Sequence, residues 1–157
     1  MKHVALAVVL ALATAQASAG DWKSYGNARY NYWIDVPTDF SAIEESGNGD
    51  GGIAQSVDGN ARLAVWGSYP SDGGFAKDVK WRIDQDEADG WSVAYQRQKS
   101  SWAVWSGSKG NRVYYERAIL VCKEAVAYFR LEYDQARAKA FDPIVARLAK
   151  SFRSGDC

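Results

Sequence analysis

Histidine is almost absent from this sequence, since His3 is the only one among 157 residues. It lies in an N-terminal segment that has the features of a cleaved export signal. Without histidine, the remaining chain cannot form Ser-His-Asp or Cys-His catalytic sets, or the usual histidine-based zinc and copper sites. Serine–lysine and carboxylate-only mechanisms survive this test, but no motif points to them. We therefore expect a protein that is not an enzyme, with no catalytic residue, no cofactor and no metal ligand.

Long hydrophobic runs are also missing beyond the N-terminus. Lys2 is followed by an apolar run over residues 4–13 and by Ala17-Ser18-Ala19, the small residues that a signal peptidase needs. The run is shorter than the about 20 apolar residues of a membrane-spanning helix. Residues 1–19 are therefore predicted to be a signal peptide, and residues 20–157 to form a single domain that is periplasmic or secreted. No later segment is predicted to span a membrane.

Cysteine is scarce, with Cys122 and Cys157 as the only two. An even count in an exported chain predicts a disulfide rather than a reactive thiol, because neither residue lies in a Cys-x-x-Cys pair or beside a histidine. The bridge would close a loop of about 36 residues and stabilise the fold by roughly 3–4 kcal/mol in the chain-entropy model. It would also hold the C-terminus in place.

An excess of charge of either sign is lacking as well. The chain has 19 basic and 19 acidic side chains, and Lys2 is the only one of them in the predicted signal peptide. Basic residues are scattered among acidic ones, so nucleic acid and anionic membrane surfaces are poor candidates for partners. We expect no nucleic-acid partner. Another envelope or secreted protein is the leading expectation, and a glycan is the alternative.

Alternating apolar and polar residues predict seven strands. Their expected bounds are residues 29–36, 53–57, 62–66, 91–97, 102–106, 113–122 and 125–133. In the fourth strand, Trp91, Val93 and Tyr95 are expected to share one face. Residues 21–26 are expected to be a short lead-in rather than a strand. Consecutive hairpins favour an antiparallel meander.

Two or three helices are predicted beside these strands. Phe75, Val79 and Ile83 recur at helical spacing and predict an amphipathic helix of about four turns. Near the C-terminus, Asp142 is expected to be the N-cap and Pro143 the first helical position of a final helix. This segregation predicts an α+β domain, in which an antiparallel β-sheet meander packs with two or three helices.

The glycine-rich stretch over residues 47–69 contains oxygen ligands of the kind that a cation needs, in Asn48, Asp50, Asp58 and Asn60. Aligned with the calcium loop of helix–loop–helix proteins, however, it has Val57 where a bidentate glutamate is required. Asp58-Gly59 is instead a hairpin signal, because such a turn needs positive φ angles. We therefore expect turns rather than a metal site, and a long mobile loop over residues 46–52.

Seven tryptophans are the most unusual feature of the composition. Most are expected in the core, but the spacing places Trp33 and Trp81 away from the apolar faces of their elements. Rigid rings of this kind suit contact with a protein or a glycan. Lys109 and Arg112 lie in a predicted loop over residues 106–112 that an inhibitor could insert into an enzyme. These four residues form the predicted partner surface.

One segment of the domain reads Tyr25-x-Asn27-x-Arg29-Tyr30-x-Tyr32-x-Ile34-Asp35-x-Pro37-x-x-Phe40. It resembles the opening of small exported bacterial proteins of uncharacterised families, in which a Tyr/Phe-rich strand ends in Asp-x-Pro. The closing Phe141-x-x-Ile144 and Ser151-Phe152 are similar to the final helix of the PsbP-like fold. The resemblance implies a PsbP-like α/β sandwich with an accessory or binding role, and it supplies no catalytic residues.

The leading expectation is therefore a non-catalytic periplasmic or secreted binding protein that contacts another envelope protein. One alternative is a protein that binds cell-wall glycan, or that acts on it through carboxylates. The other is an inhibitor of a secreted enzyme. A coplanar, exposed row of Trp33, Trp66 and Trp105 would favour glycan. A cleft with two close carboxylates, one of them with a raised pKa, would favour an enzyme.

Overall fold

The computed structural model describes residues 21–157, so the predicted signal peptide at 1–19 lies outside the described residues. Within them the chain forms strands that segregate from two α-helices. The strands are β1 Trp22–Asn27, β2 Tyr32–Pro37, β3 Glu44–Glu45, β4 Gly51–Gln55, β5 Arg62–Ser68, β6 Ser92–Gln98, β7 Trp102–Lys109, β8 Arg112–Val121, β9 Ala125–Asp134 and β10 Arg153–Ser154. The helices are α1 Gly74–Ala88 and α2 Ala138–Ser151. The predicted α+β class is confirmed.

Seven of the strands form one sheet in the order β3-β4-β5-β9-β8-β7-β6, while β1, β2 and β10 form a small sheet of three. All neighbouring pairs in both sheets are antiparallel. The large sheet consists of two meanders, β3 to β5 and β6 to β9, and α1 connects them. After α1 the chain re-enters the large sheet as β6, at the edge opposite β3. The last strand of the second meander, β9, therefore pairs with β5.

One face of the large sheet is covered by the small sheet and α2. Alternate residues of β5, β8 and β9 point to this side, and Phe129 lies at its centre with no exposed surface. Its ring contacts Phe152, just beyond α2, at 5.2 Å between centroids. The layer is almost entirely apolar. Its fully buried members include Tyr32, Ile34, Leu63, Val65, Val121, Ala127, Leu131 and Leu148.

The opposite face of the large sheet is covered by α1 over only part of its width. Phe75, Val79 and Ile83, the residues of the predicted apolar stripe, pack onto β7, β8 and β9. Their neighbours in the sheet are Ala103, Trp105, Tyr114, Ala118, Val126 and Tyr128. The strands β3, β4 and β5 extend beyond the helix. This face is therefore half core and half open surface.

Two predictions about element boundaries are wrong. Residues 21–26 are not a lead-in, because Trp22–Asn27 pairs along its whole length with β2. Asp142 is not the N-cap of the final helix, and Pro143 lies inside it. The helical segment begins earlier in the chain, because the Asp134 carboxylate accepts a hydrogen bond from the Ala136 amide at 2.9 Å. That contact starts a 3₁₀ turn, Gln135–Arg137, which continues directly into α2.

The predicted face of β6 is also wrong, because the register shifts between Val93 and Tyr95. Val93 pairs with Gly107 on the α1 side, whereas Tyr95 pairs with Ser106 and points the other way. A β-bulge adds one residue to a strand and so reverses the alternation beyond it. The alternation of apolar and polar residues in the sequence continues through such a bulge, so the bulge cannot be predicted from that pattern.

Residues 46–52 form a tight hairpin rather than the expected long mobile loop. β3 pairs with β4, and the Tyr32 hydroxyl and the Gly67 amide both donate to the Asp50 carbonyl, at 3.0 and 2.9 Å. Glycine is required by close approach, since a Cβ at Gly51 would lie 2.0 Å from the Val65 carbonyl oxygen. The second hairpin, between β4 and β5, has the predicted turn, with Gly59 at φ 71°.

The two cysteines lie together at the end of the small sheet. The sulfur atoms of Cys122 and Cys157 are 2.13 Å apart, which is a bonded distance, and their Cα atoms are 5.5 Å apart. Nearby, the Gly155 amide donates to the Asn31 carbonyl at 2.8 Å, so the C-terminus is held against β2. Among residues 21–157, neither helix is long and apolar enough to cross a membrane.

Candidate functional site

The open half of the α1 face contains two adjoining clefts that share Trp66. One cleft, of about 460 Å³, lies over β3 to β5 and is lined by residues that include Glu44, Ile53 and Ala64. The other, of about 300 Å³, lies between β5 and α1. Its lining residues are Trp66, Trp81, Arg82, Gln85, Asp86, Glu116 and Arg130. We call this second space the α1 cleft.

Arg130 is the centre of a charged network at the base of the α1 cleft. Its Nη1 atom donates to Asp86 Oδ1 at 2.7 Å and to Glu116 Oε2 at 2.9 Å, and its Nε donates to Glu132 at 2.8 Å. The Trp105 indole donates to the other oxygen of Asp86 at 2.9 Å. The Arg130 side chain is only 12% exposed, so these contacts are largely shielded from water.

Glu116 is the most perturbed acid of the network. Glu116 is 3% exposed, and this burial raises the pKa of its carboxyl group from 4.5 to about 7. The neighbouring Arg130 acts in the opposite direction, because it favours the charged form. Desolvation disfavours a buried carboxylate unless opposite charge compensates it fully. Two carboxylates thus share one guanidinium nitrogen in a cleft, and one of them has a raised pKa. This is the arrangement expected of the enzyme alternative.

Arg82 forms the side of the α1 cleft that belongs to the helix. Its guanidinium carbon lies 4.0 Å from the ring centroid of Tyr128 and 5.4 Å from that of Trp66. Its hydrogen bonds to Asp78 and Ser68 are long, at 3.4 and 3.5 Å. Trp66 is in turn stacked on Tyr128, with 5.2 Å between centroids. The Tyr128 hydroxyl donates to Asp78 and fixes this stack.

The free edges of the large sheet differ strongly in length and charge. β3 consists of two glutamates, Glu44 and Glu45, and the Glu45 carboxylate accepts from the Tyr25 hydroxyl at 2.9 Å. β6 at the other edge has seven residues, of which all but Val93 are exposed. It contains neither proline nor an acidic residue, and Tyr95 is 47% exposed. Of these two edges in the described chain, β6 is the one with a long row of outward-facing N–H and C=O groups that have no strand partner.

The four residues of the predicted partner surface do not form one surface. Trp33 lies on the outer side of the small sheet, and Trp81 lies on α1 beside the α1 cleft. Lys109 and Arg112 face each other where β7 turns into β8, so the predicted loop is a two-residue turn. Lys109 donates to the backbone carbonyl of Asp89 and Arg112 to that of Asn60, both at 2.6 Å. An insertable inhibitor loop is therefore missing at this position.

The tryptophans proposed as a glycan platform are not an exposed row either. Trp105 is fully buried, Trp66 is partly buried on the α1 face, and Trp33 is on the other side of the domain. The residues that do converge, Arg82, Asp86, Glu116 and Arg130, were not singled out from the sequence. One signal was available: Arg130 continues the face of Val126 and Tyr128, so a charged residue occupies a position where the pattern requires burial.

The acidic side chains of the two turns make local hydrogen bonds. Within residues 21–157, no group of three or more Asp, Glu, His or Cys side chains is placed to hold a metal ion. Asp58 and Asp50 are used locally instead: Asp58 accepts from Ser56 Oγ at 2.6 Å, and Asp50 accepts from Ser46 Oγ at 2.5 Å. Both acids stabilise their turns.

The two-sheet, two-helix arrangement is a PsbP-like fold. Three solved structures are similar to it over most of their length. The cyanobacterial PsbP (CyanoP) of Synechocystis sp. PCC 6803 has a TM-score of 0.63 and 14% identity, covering 88% of this chain and 95% of that one. The Ran-binding protein Mog1p of Saccharomyces cerevisiae has a TM-score of 0.64 and 10% identity, covering 88% and 97%.

LpqN of Mycobacterium tuberculosis, described as involved in cell envelope biogenesis, has a TM-score of 0.59 and 11% identity, covering 89% of this chain and 87% of that one. At such identities the likeness shows the fold alone. No protein-family model matches the chain, and no curated protein matches it significantly.

Proposed function

We propose that this chain is an exported, non-catalytic accessory protein that binds another envelope protein by adding a strand of that partner to β6. The observation that carries the proposal is the β6 edge: a seven-residue strand that pairs with β7 on one side, has no strand partner on its outer side among the described residues, and contains Arg97 as its one charge but neither acid nor proline. An extended peptide that joins such an edge gains main-chain hydrogen bonds along its length. Tyr95, exposed beside the edge, would contact a side chain of the added strand.

Export and an envelope setting have separate support. The N-terminal segment has the order of charges, apolar residues and small residues of a signal peptide, and the cysteines pair as is typical of oxidising compartments. Two proteins of similar fold are described as Ran-binding and as involved in cell envelope biogenesis. These descriptions belong to those proteins, and they agree with a fold that serves binding roles.

Site-specific crosslinking tests the proposal. A photo-crosslinking amino acid, p-benzoylphenylalanine, replaces Tyr95 in one variant and Tyr69 in a matched control. Both tyrosines are exposed, at 47% and 64%, but Tyr69 lies in the loop between β5 and α1. Irradiation in cells should join position 95, and not position 69, to one envelope protein, through a peptide that mass spectrometry identifies.

A second pair of variants checks that backbone pairing is the cause. Tyr95→Lys places a charge on the edge strand, where lysine opposes strand addition, and Tyr69→Lys places the same charge elsewhere. Retention of the crosslinked partner on immobilised protein should fall for Tyr95→Lys alone. Equal crosslinking from both positions, or equal retention by both lysine variants, would rule out contact at β6.

The carboxylate-dependent alternative also has an observation in its favour, which is the pair Asp86 and Glu116 on Arg130. Against it, Arg130 forms an ion pair with both acids through one guanidinium nitrogen, so neither is free of a charged partner. A glycosidase needs one carboxyl group free to protonate the leaving oxygen. Assays with peptidoglycan and with chitotetraose should release no reducing ends. Hydrolysis that Glu116→Gln abolishes would establish the alternative instead.

A further inference from the structure

The α1 cleft is not used by strand addition at β6, and its volume of about 300 Å³ is at the lower limit of ligand pockets, about 300–1,000 Å³. It lies on the other side of α1 from that edge, toward β5. Its walls combine two indole rings with four charged side chains and one amide. Such a mixture of apolar area with a few fixed polar groups is typical of small-molecule sites.

Several hydrogen-bonding groups of the cleft are unused within residues 21–157. Arg82 has five N–H donors and makes two long hydrogen bonds, to Asp78 and Ser68. The Gln85 amide makes none. Glu116 is 3% exposed, and only its Oε2 atom accepts, from Arg130, so Oε1 has no donor in the described chain. The cleft therefore has donors and acceptors available side by side.

The charges that line the cleft limit the class of ligand. Arg82 and Arg130 are balanced by Asp86 and Glu116, so the lining has no net charge when all four are ionised. An anion in the cleft would be repelled by two carboxylates, and a cation would be repelled by two guanidinium groups. A hydroxyl group suits both, because it accepts from an arginine and donates to a carboxylate. Vicinal hydroxyls on a neutral ring would use both kinds of partner at once.

The aromatic walls favour a ring with an apolar side. Trp66 is fixed by its stack on Tyr128, and Trp81 is 53% exposed at the helix. The C–H faces of a pyranose pack on an indole ring, and its rim of hydroxyls remains free for polar contacts. We propose that the α1 cleft binds a neutral sugar residue of a glycan, with Trp66 and Trp81 against the ring and Arg82, Gln85 and Glu116 at its hydroxyls.

Ligand-detected NMR on the oxidised domain tests this inference, with tetrasaccharides as probes. Chitotetraose and cellotetraose are neutral, tetragalacturonate is anionic and the glucosamine tetramer is cationic. We expect saturation transfer and fast-exchange binding for at least one neutral tetramer, with charged tetramers at least about fivefold weaker. No transfer to either neutral tetramer at about 10 mM, or charged tetramers that bind equally well, would overturn the proposal.

Variants locate the site with matched controls. Trp81→Ala removes an exposed indole at the cleft, and Trp33→Ala removes one of similar exposure, 40% against 53%, on the far side of the domain. Trp81→Ala should weaken the neutral tetramer by about tenfold, and Trp33→Ala should leave it unchanged. Gln85→Ala is a second cleft variant if Trp81→Ala lowers the melting temperature. Cleft variants that bind as the wild type does would overturn the assignment, whatever happens at β6.

Discussion

The two faces of the large sheet have the same strands and the same twist but opposite chemistry. On the side of α2, β9 presents Ala127, Phe129 and Leu131 to an apolar cluster, and the charged residue Arg117 of β8 lies opposite Phe129. On the side of α1, the same strand presents Tyr128, Arg130 and Glu132, and the arginine joins three carboxylates. Successive residues of one strand therefore serve two purposes.

The difference separates a face that mainly stabilises the fold from a face with groups that a ligand or partner could contact. An apolar layer gains free energy from burial alone, at about 25 cal/mol per Å². A buried ion pair rarely repays its desolvation, and replacement by apolar residues is often neutral or stabilising. The α1 face retains its charges together with two open clefts, whereas the centre of the α2 face is covered by the small sheet and α2. Function is therefore to be sought on the α1 face and at the β6 edge beside it.

The largest expected effect is on the apolar face. Phe129→Ala removes a fully buried ring that packs on Phe152 and Tyr115. Its free energy of unfolding should fall by about 4 kcal/mol, because a large-to-small change in a closed core leaves a cavity. Denaturant titration measures this change. The loss should be nearly independent of pH, and a loss below about 1 kcal/mol would contradict the closed packing.

On the charged face, Arg130→Met should cost about 3 kcal/mol at pH 8, for a different reason. The side chain keeps much of its volume, but Glu116 becomes a buried charge without a partner, and Asp86 keeps only its hydrogen bond from Trp105. Lower pH should restore part of the stability, since a protonated Glu116 does not need the guanidinium. Urea titrations at pH 8 and pH 5 distinguish the two faces. An equal loss at both pH values would show that Arg130 acts through packing alone.

Glu116 gives a third contrast, through the pH dependence of the wild type. Its pKa is about 7 in the folded protein and near 4.5 when unfolded, so the folded state binds a proton more tightly. Glu116 therefore contributes stability below pH 4.5 that is lost as pH rises through 7, on the order of 3 kcal/mol. Glu116→Gln should be less sensitive to pH over this window. Parallel pH profiles for the two proteins would exclude Glu116 as the titrating group.

Much of the fold follows from the sequence because the apolar face obeys alternation. A strand was predicted over residues 62–66, and the structure buries its alternate residues Leu63 and Val65 completely. The helix stripe of Phe75, Val79 and Ile83 was predicted for the same reason. These positions are buried in the core, and buried positions recur in the sequence with the period of the strand or helix.

The candidate site as a whole could not be predicted from the sequence, because its members meet only through tertiary structure. Asp86 on α1, Glu116 on β8 and Arg130 on β9 are 14 to 44 residues apart in the chain. In the sequence, Asp86 and Glu116 are indistinguishable from solvated charges, and only the position of Arg130 on the face of Val126 and Tyr128 is a sign of burial. The bulge at Val93 and Tyr95 is equally invisible, since one added residue changes the face without changing the composition.

The smallest expected effect concerns how the two covering helices begin. α1 follows Gly73 and has no side-chain cap, whereas the turn before α2 is capped by the Asp134 carboxylate. Asp134→Ala should lower the free energy of unfolding by about 1 kcal/mol, the usual cost of a lost cap. Asp142→Ala, at the cap position that the sequence suggested, should change it by less than about 0.5 kcal/mol, because that side chain does not cap the helix. Thermal unfolding of both variants decides between the two cap positions. The reverse order of effects would mean that α2 starts at Pro143 in solution, so that the helix would cover the apolar face with one turn less.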